Sequence, residues 1–212
     1  MQKWMLATVV PVVLLIGTVL GNVVYGAVKK EKQEITAAFA TVQAALMLAA
    51  ACFDLLPAAL EYAHWEMVIA GVVIGALFLF SAVLYKVNQQ NTMLIWQLFM
   101  GMAIGAAGML SMELGRKILI AFFLCAFLQG AAYGGKKIRI LIQFVFASFG
   151  CFVGQAAGSY LVELSGLCLA LGSGALLISS CRTLLPDKKK CKQSDAGSTV
   201  LGLVLGLVLS LL

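Results

Sequence analysis

The stretch Met67–Tyr85, MVIAGVVIGALFLFSAVLY, contains no charged side chain. Wound as a helix at 1.5 Å per residue it reaches about 28 Å, close to the ~30 Å hydrocarbon core of a bilayer. It is followed at once by Lys86 and the polar run Val87-Asn88-Gln89-Gln90-Asn91-Thr92. An apolar run of membrane length bounded by a lysine reads as a transmembrane helix. Working outward with the same ruler gives spans at about 4–28, 35–57, 67–85, 93–112, 118–135, 140–161, 164–185 and 199–212. The separators are short and polar: Lys29-Lys30-Glu31-Lys32, Lys86 to Thr92, Gly115-Arg116-Lys117, Lys136-Lys137, and Asp187 to Ser198. The last span is the shortest, so it stands nearly upright or thins the bilayer locally.

Composition agrees. Hydrophobic residues are 62% of the 212 and charged residues 11%, against roughly 25% charged in soluble domains. Mean hydropathy is +1.02. A soluble domain is excluded, and 21 glycines with three prolines fit neither collagen nor a disordered chain. The expectation is an all-α integral membrane protein, residues 1–212 forming one transmembrane domain of eight helices. The hydrophobic run after Lys3 continues to Lys29-Lys30 without an A-x-A site, so it is read as a retained helix and not as a signal peptide.

Charge placement orients the chain. One side of the membrane receives Lys3, Arg116 and Lys117; the other receives the remaining 12 of the 15 basic residues. Basic residues gather on the cytoplasmic side, so both termini are expected outside, in a multi-pass protein of the plasma membrane. The net charge of +6 follows from this topology and is no nucleic-acid footprint. All five tyrosines, with Trp4, Trp65 and Trp96, fall at span ends and read as an aromatic belt at headgroup level.

Six cysteines do not form a disulfide framework here. Cys52, Cys125, Cys151, Cys168 and Cys181 lie inside spans, where a thiol packs as a small hydrophobe, and Cys191 lies in an inner loop. The single histidine, His64, falls in the outer loop after span 2 and reads as solvated. With no HExxH, no phosphate-binding loop and no Ser/His/Asp set, an enzyme is not expected.

Two echoes run through the spans. Span 2 ends Cys52-Phe53-Asp54-Leu55-Leu56-Pro57 and span 7 ends Cys181-Arg182-Thr183-Leu184-Leu185-Pro186. These spans point in opposite directions, which suggests an inverted repeat of helices 1–3 and 6–8, a 3+2+3 plan common in secondary transporters. Spans 4 and 5 share the form x5-G-x3-G, in Trp96–Gly105 and Cys125–Gly134. Taken alone, those glycines read as small-residue packing faces.

With eight spans, both termini outside and a first helix bearing Gly17, Gly21 and Gly26, the chain resembles the ZIP (zinc/iron-regulated transporter-like) family of divalent-metal transporters. The segment Phe53-Asp54-Leu55-Leu56-Pro57-Ala58-Ala59-Leu60-Glu61 is similar to the family's DLLPEALE pattern. Gly172-Ser173-Gly174 followed by Leu184-Leu185-Pro186 resembles its seventh helix, and Gly202 with Gly206 its glycine-rich last helix. The resemblance implies transport of a metal cation of the zinc or iron type.

It also locates a departure. The family's HNxPEG motif of helix 4 falls on Trp96, Gln97, Leu98, Phe99, Met100 and Gly101, and its helix-5 counterpart on Cys125 to Gly130. The helix-6 glutamate falls on Cys151, before Gly154. Histidine thus becomes Trp96 and Cys125; glutamate becomes Met100, Gln129 and Cys151. Divalent cations in hydrocarbon need carboxylate or imidazole to replace their hydration, so a family-type zinc site is not expected. Met100, Cys125 and Cys151 offer sulfur instead, and helix rise puts Cys125 and Cys151 about 10 and 16 Å into their spans. Soft ligands favour Cu(I). Gln129 would be a weak oxygen donor or positioning partner, with Gln97 and Gln155 nearby and Asp54 as a cation-attracting entrance residue.

Three functions therefore stay open. One is a ZIP-like transporter of metal cations with a sulfur and amide site. The second is a structural or regulatory membrane protein that keeps the fold and has lost the site. The third is a carrier of a small neutral solute, with glutamines as hydrogen-bonding ligands. Partners are the bilayer and the metal ion, and the sequence leaves a homodimer open.

Overall fold

The structure is a computed structural model; it describes the backbone of residues 2–28, 33–84, 89–134, 137–184 and 196–211, and side chains within 9–27, 35–81, 94–134, 140–184 and 197–211. Every element among the described residues is helical: α1 (Gln2–Val28), α2 (Gln33–Ala49), a π-helical turn (Ala50–Leu55), α3 (Leu56–Tyr62), α4 (Trp65–Leu84), α5 (Gln89–Leu110), α6 (Met112–Tyr133), α7 (Lys137–Tyr160), α8 (Val162–Leu184) and α9 (Ala196–Leu211). Five helical segments are long and apolar enough to cross a membrane: Val9–Ala27, Ile35–Tyr62, Met112–Tyr133, Ile140–Tyr160 and Val162–Leu184. Trp65–Ser81, Leu94–Leu110 and Gly197–Leu211 are shorter apolar helices. The chain is an all-α protein built for a membrane. Most of the basic separators, including Lys29–Lys32, Lys86, Lys136 and Lys188–Lys192 with Cys191, lie outside the described residues, as does Pro186 of the second Leu-Leu-Pro echo.

Burial is inverted relative to a soluble domain. Leu77, Leu141 and Phe149 are about three-fifths exposed, whereas Gln97, Gln129, Gln155 and Ser173 are buried. Large apolar patches facing outward mark a surface solvated by something other than water.

Two boundaries differ from the expectation. Span 2 does not stop at Pro57, because α2, the π turn and α3 form one rod to Tyr62. Proline lacks an N–H, and its ring crowds the carbonyl four residues back, here that of Phe53. The rod absorbs this by widening: the Leu56 amide donates to the Ala51 carbonyl, five residues back. Pro57 then follows directly on the widened turn, as the second residue of α3. The second difference is at Gly115-Arg116-Lys117, expected as a separator but helical. The break falls at Ser111 instead, whose extended backbone and hydroxyl cap α6 by accepting from the Glu113 and Leu114 amides at 3.2 Å. Glu113 suits the positive helix N-terminus, and Lys117 lies one turn on, 3.9 Å from it.

Helix pairing is set by glycine. Between α5 and α7, Gly101 and Gly105 face the carbonyls of Ala147 and Cys151, while Gly150 and Gly154 face those of Leu98 and Met102. A Cβ at any of the four would overlap backbone. The α1–α6 pair repeats the device, with Gly21 against Phe127 and Gly130 against Thr18. So does α4–α8, where Gly75 meets Leu171 and Gly174 meets Val72. Gly202 and Gly206 of α9 lie against Val42, Ala45 and Ala49 of α2. Lipid removes the hydrophobic drive between helices, so close backbone contact and Cα–H···O bonds hold such pairs.

Gly101→Ala and Gly150→Ala are expected to destabilise by about 1–3 kcal/mol each, the range for forced overpacking. Gly26→Ala, with nothing within 4 Å of the added methyl, is expected to be neutral or slightly stabilising. Thermal unfolding of the purified protein in detergent checks the contrast; equal effects at all three positions would sink the seam account.

Candidate functional site

Two of the polar side chains buried in this apolar bundle meet where α5 and α6 face one another. Gln97, two turns into α5, donates through Nε2 to Oε1 of Gln129 in the last turns of α6, at 2.9 Å, and both side chains are 2% exposed. This bond joins two positions on which the ZIP-like motifs fall. It also fixes the Gln129 amide, turning its Nε2 away from Gln97.

Trp96 corrects an expectation. Its place near a span end suggested an interfacial ring, yet it is 2% exposed and buried among helices, whereas Trp65 is 64% exposed. The position along α5 satisfies the belt pattern; the face it occupies points inward. Both the Trp96 indole Nε1 and the Gln129 Nε2 are buried without a hydrogen-bond partner among the described residues. A buried orphan donor of this kind costs about 1–3 kcal/mol.

Both residues line one cavity of about 40 Å³, walled by α2, α4, α5, α6 and α8. Gln43 of α2, Tyr133 of α6 and Ser179, Arg182 and Thr183 of α8 complete its polar lining. Sequence reasoning missed this cavity. Its legible signals are the Trp96-Gln97 pair set in an apolar run and Gln43 in mid-span, neither of which has a partner visible in sequence.

The sulfur residues are buried: Met100 is 1% exposed and Cys125 and Cys151 are fully buried. Cys151 lies against Gly105 in the α5–α7 seam. Cys125 and Cys151 stand on α6 and α7, which each pack on α5 but make no extended contact with one another among the described residues. Gln155 is buried and partnered. Asp54 is half-buried in the π turn, within electrostatic reach of Lys117. His64 is exposed, with Nε2 3.9 Å from a Glu163 carboxylate oxygen. Packing describes Cys125, Cys151 and Cys168, but Cys52 and Cys181 are exposed on the outside of the bundle. Among the described residues no three His, Cys, Asp or Glu side chains come together as a metal site. The structure thus joins the α5 and α6 amides, and buries Met100, Cys125 and Cys151 on three different helices.

A comparison with protein-family models and with curated proteins gives no match, so the resemblance to the ZIP family rests on the motifs quoted above.

Replacing one member of the Gln97–Gln129 pair orphans the other. Gln97→Leu or Gln129→Leu is expected to cost about 1–3 kcal/mol, and the double variant less than the sum. The coupling from a double-mutant cycle should be near the ~0.6 kcal/mol average for buried bonds between membrane helices, with ~1.7 as the ceiling. Strict additivity of the two single effects would show the bond contributes nothing.

Proposed function

We propose that the chain is a ZIP-like transporter of the plasma membrane with eight helical spans: α1, the α2–α3 rod, α4, α5, α6, α7, α8 and α9. They are arranged 3+2+3, with α1 to α4 related to α7 to α9 by a pseudo-two-fold axis in the membrane plane and α5 and α6 between them. The observation that carries this reading is the pairing pattern. Exchanging span 1 with 6, 2 with 7, 3 with 8 and 4 with 5 turns the α1–α6 pair into α7–α5, and the α4–α8 pair into α9–α2, both of which occur. The glycine contacts follow the same exchange: Gly17 and Gly21 face Phe123 and Phe127 as Gly150 and Gly154 face Leu98 and Met102, Gly130 faces Thr18 as Gly105 faces Cys151, and Gly71 and Gly75 stand to α8 as Gly202 and Gly206 stand to α2. In proteins of this plan the solute path runs at the repeat interface near the bilayer midplane.

Topology follows from the 12 to 3 distribution of basic residues. Both termini face outward, and the segments 29–34, 86–92, 136–139 and 186–198 face the cytoplasm. In a cysteine-free background, Lys189→Cys is expected to resist an impermeant maleimide added to intact cells and to react after permeabilisation. Labelling from outside would reverse the topology.

The cargo on this reading is a soft metal cation held by Met100, Cys125 and Cys151, with Gln129 positioned by Gln97. Two thiolates compensate a monovalent ion in hydrocarbon, whereas a carboxylate-free site compensates a hard divalent ion poorly. Purified protein is expected to bind Cu(I) in preference to Zn²⁺, to lose roughly tenfold or more in affinity in Cys125→Ala or Cys151→Ala, and to bind more weakly as pH falls, because protons compete for the thiolates. Cu(I) binding unchanged in both variants would remove the sulfur site. A second reading, a carrier of a small neutral solute, is favoured by the Gln97–Gln129 bond beside a cavity whose lining includes Gln43, Gln129, Ser179 and Thr183. An uptake assay over Zn²⁺, Fe²⁺, Mn²⁺, Co²⁺ and Cu(I) separates the two.

A further inference from the structure

Two polar side chains from different helices face the cavity without a partner among the described residues. Gln43 of α2 is 5% exposed and makes no hydrogen bond to another described residue. The Trp96 Nε1 and Gln129 Nε2 atoms are sealed within the wall, but the Gln43 carboxamide keeps both its oxygen and its nitrogen open to the cavity. Ser179 of α8 lines the same space, and its hydroxyl is likewise neither sealed nor bonded among the described residues. The Ser179 main-chain carbonyl accepts from the Thr183 hydroxyl at 3.1 Å, which leaves the Thr183 oxygen able to accept. Buried Ala44, Met47 and Leu79 form the apolar part of the wall. Arg182 is exposed and stands at the mouth.

Such a lining both gives and takes hydrogen bonds. A carboxamide presents N–H donors and a carbonyl acceptor along one edge, and a hydroxyl does both from one atom. An amide buried without a hydrogen bond costs free energy, so Gln43 calls for an occupant that answers both of its groups. An ion answers them poorly. No carboxylate is among the described lining residues, and their one charged side chain is exposed, where solvent screens it. The matching group is a second amide: its N–H meets Gln43 Oε1 while its carbonyl accepts from Gln43 Nε2. Size narrows the class further. About 40 Å³ holds roughly three water-sized groups, which suits a molecule of the size of urea or acetamide and excludes a sugar or a nucleotide.

We propose that this cavity binds a small neutral amide of the urea or acetamide class, paired edge to edge with the Gln43 carboxamide and bonded also to the Ser179 hydroxyl. The inference names the solute class of the neutral-solute reading above and rests on that reading for passage across the membrane. Binding itself needs only the cavity. It accounts for a glutamine placed one turn beyond Ala40, in an apolar stretch of α2 where leucine would pack.

Saturation-transfer NMR on the purified full-length protein tests it, with acetamide, acetone and acetate as ligands of matched size. Acetone accepts hydrogen bonds but donates none, and acetate accepts and is charged. The expected result is a saturable acetamide methyl signal that urea displaces, with acetone and acetate roughly tenfold weaker, the loss of one hydrogen bond. Gln43→Leu keeps the bulk of the side chain and breaks no bond to a described residue; acetamide binding is expected to fall roughly tenfold or more. Gln43→Glu keeps the shape, loses the donors and is expected to fall similarly, which guards against a folding defect in either variant. Ser179→Ala is expected to weaken binding roughly threefold or more. The proposal is overturned if no ligand gives a saturable signal, if acetone or acetate binds as tightly as acetamide, or if both Gln43 variants bind acetamide unchanged. Uptake of labelled acetamide into proteoliposomes separates the site from the carrier reading. Saturable binding without uptake keeps the site and removes that reading, whereas uptake that Gln43→Leu leaves intact removes the site and keeps the reading.

Discussion

Backbone-to-backbone approach at glycine is the constraint from which the rest of this bundle follows. In water, helices associate because apolar faces escape the solvent; between lipid tails that gain disappears, and contact quality decides. Where Gly150 and Gly154 meet the carbonyls of Leu98 and Met102, and Gly101 and Gly105 return the contact, α5 and α7 are locked in register. Cys151 is buried because that seam is closed around it, and Gln97 reaches Gln129 because α5 is held at a fixed rotation. Loosening the seam would rotate every polar group in the core away from its counterpart.

The same constraint explains what the sequence could and could not disclose. Hydropathy and the ruler of bilayer thickness found the long apolar runs, since they depend only on composition along the chain. The G-x3-G steps at Gly101 and Gly130 were equally visible, but not their partners. The pattern shared by spans 4 and 5 invites pairing α5 with α6 through their glycines, whereas Gly101 meets α7 and Gly130 meets α1. Partner choice is a property of two surfaces at once. Trp96 was misplaced for a related reason: a position along a helix says nothing about which way the helix is turned.

Local chemistry misled at two boundaries. Arg116 and Lys117 look like loop residues, yet the cap is Ser111, and charges in the first turns of a membrane helix sit at its rim. The ending at Pro57 looked like a stop, but the π turn before it carries the rod onward to Tyr62. In both places a break assigned from one residue type was overruled by a hydrogen bond that neither residue makes. The candidate site shows the converse. Sulfur and amide residues were legible as replacements at family ligand positions, but the cavity needed five helices brought together before it could exist.

The seams also have an entropic consequence. Glycine and alanine have no rotamers to freeze, so joining two such helices orders almost no side chain, and separating them releases almost none. The α5–α7 and α1–α6 seams therefore form at little cost in side-chain entropy. Side-chain freedom is lost elsewhere, at long buried side chains such as Met47 and Met100. Opening a glycine seam accordingly loses backbone contact with little side-chain freedom in return, whereas loosening the packing around buried methionines releases more.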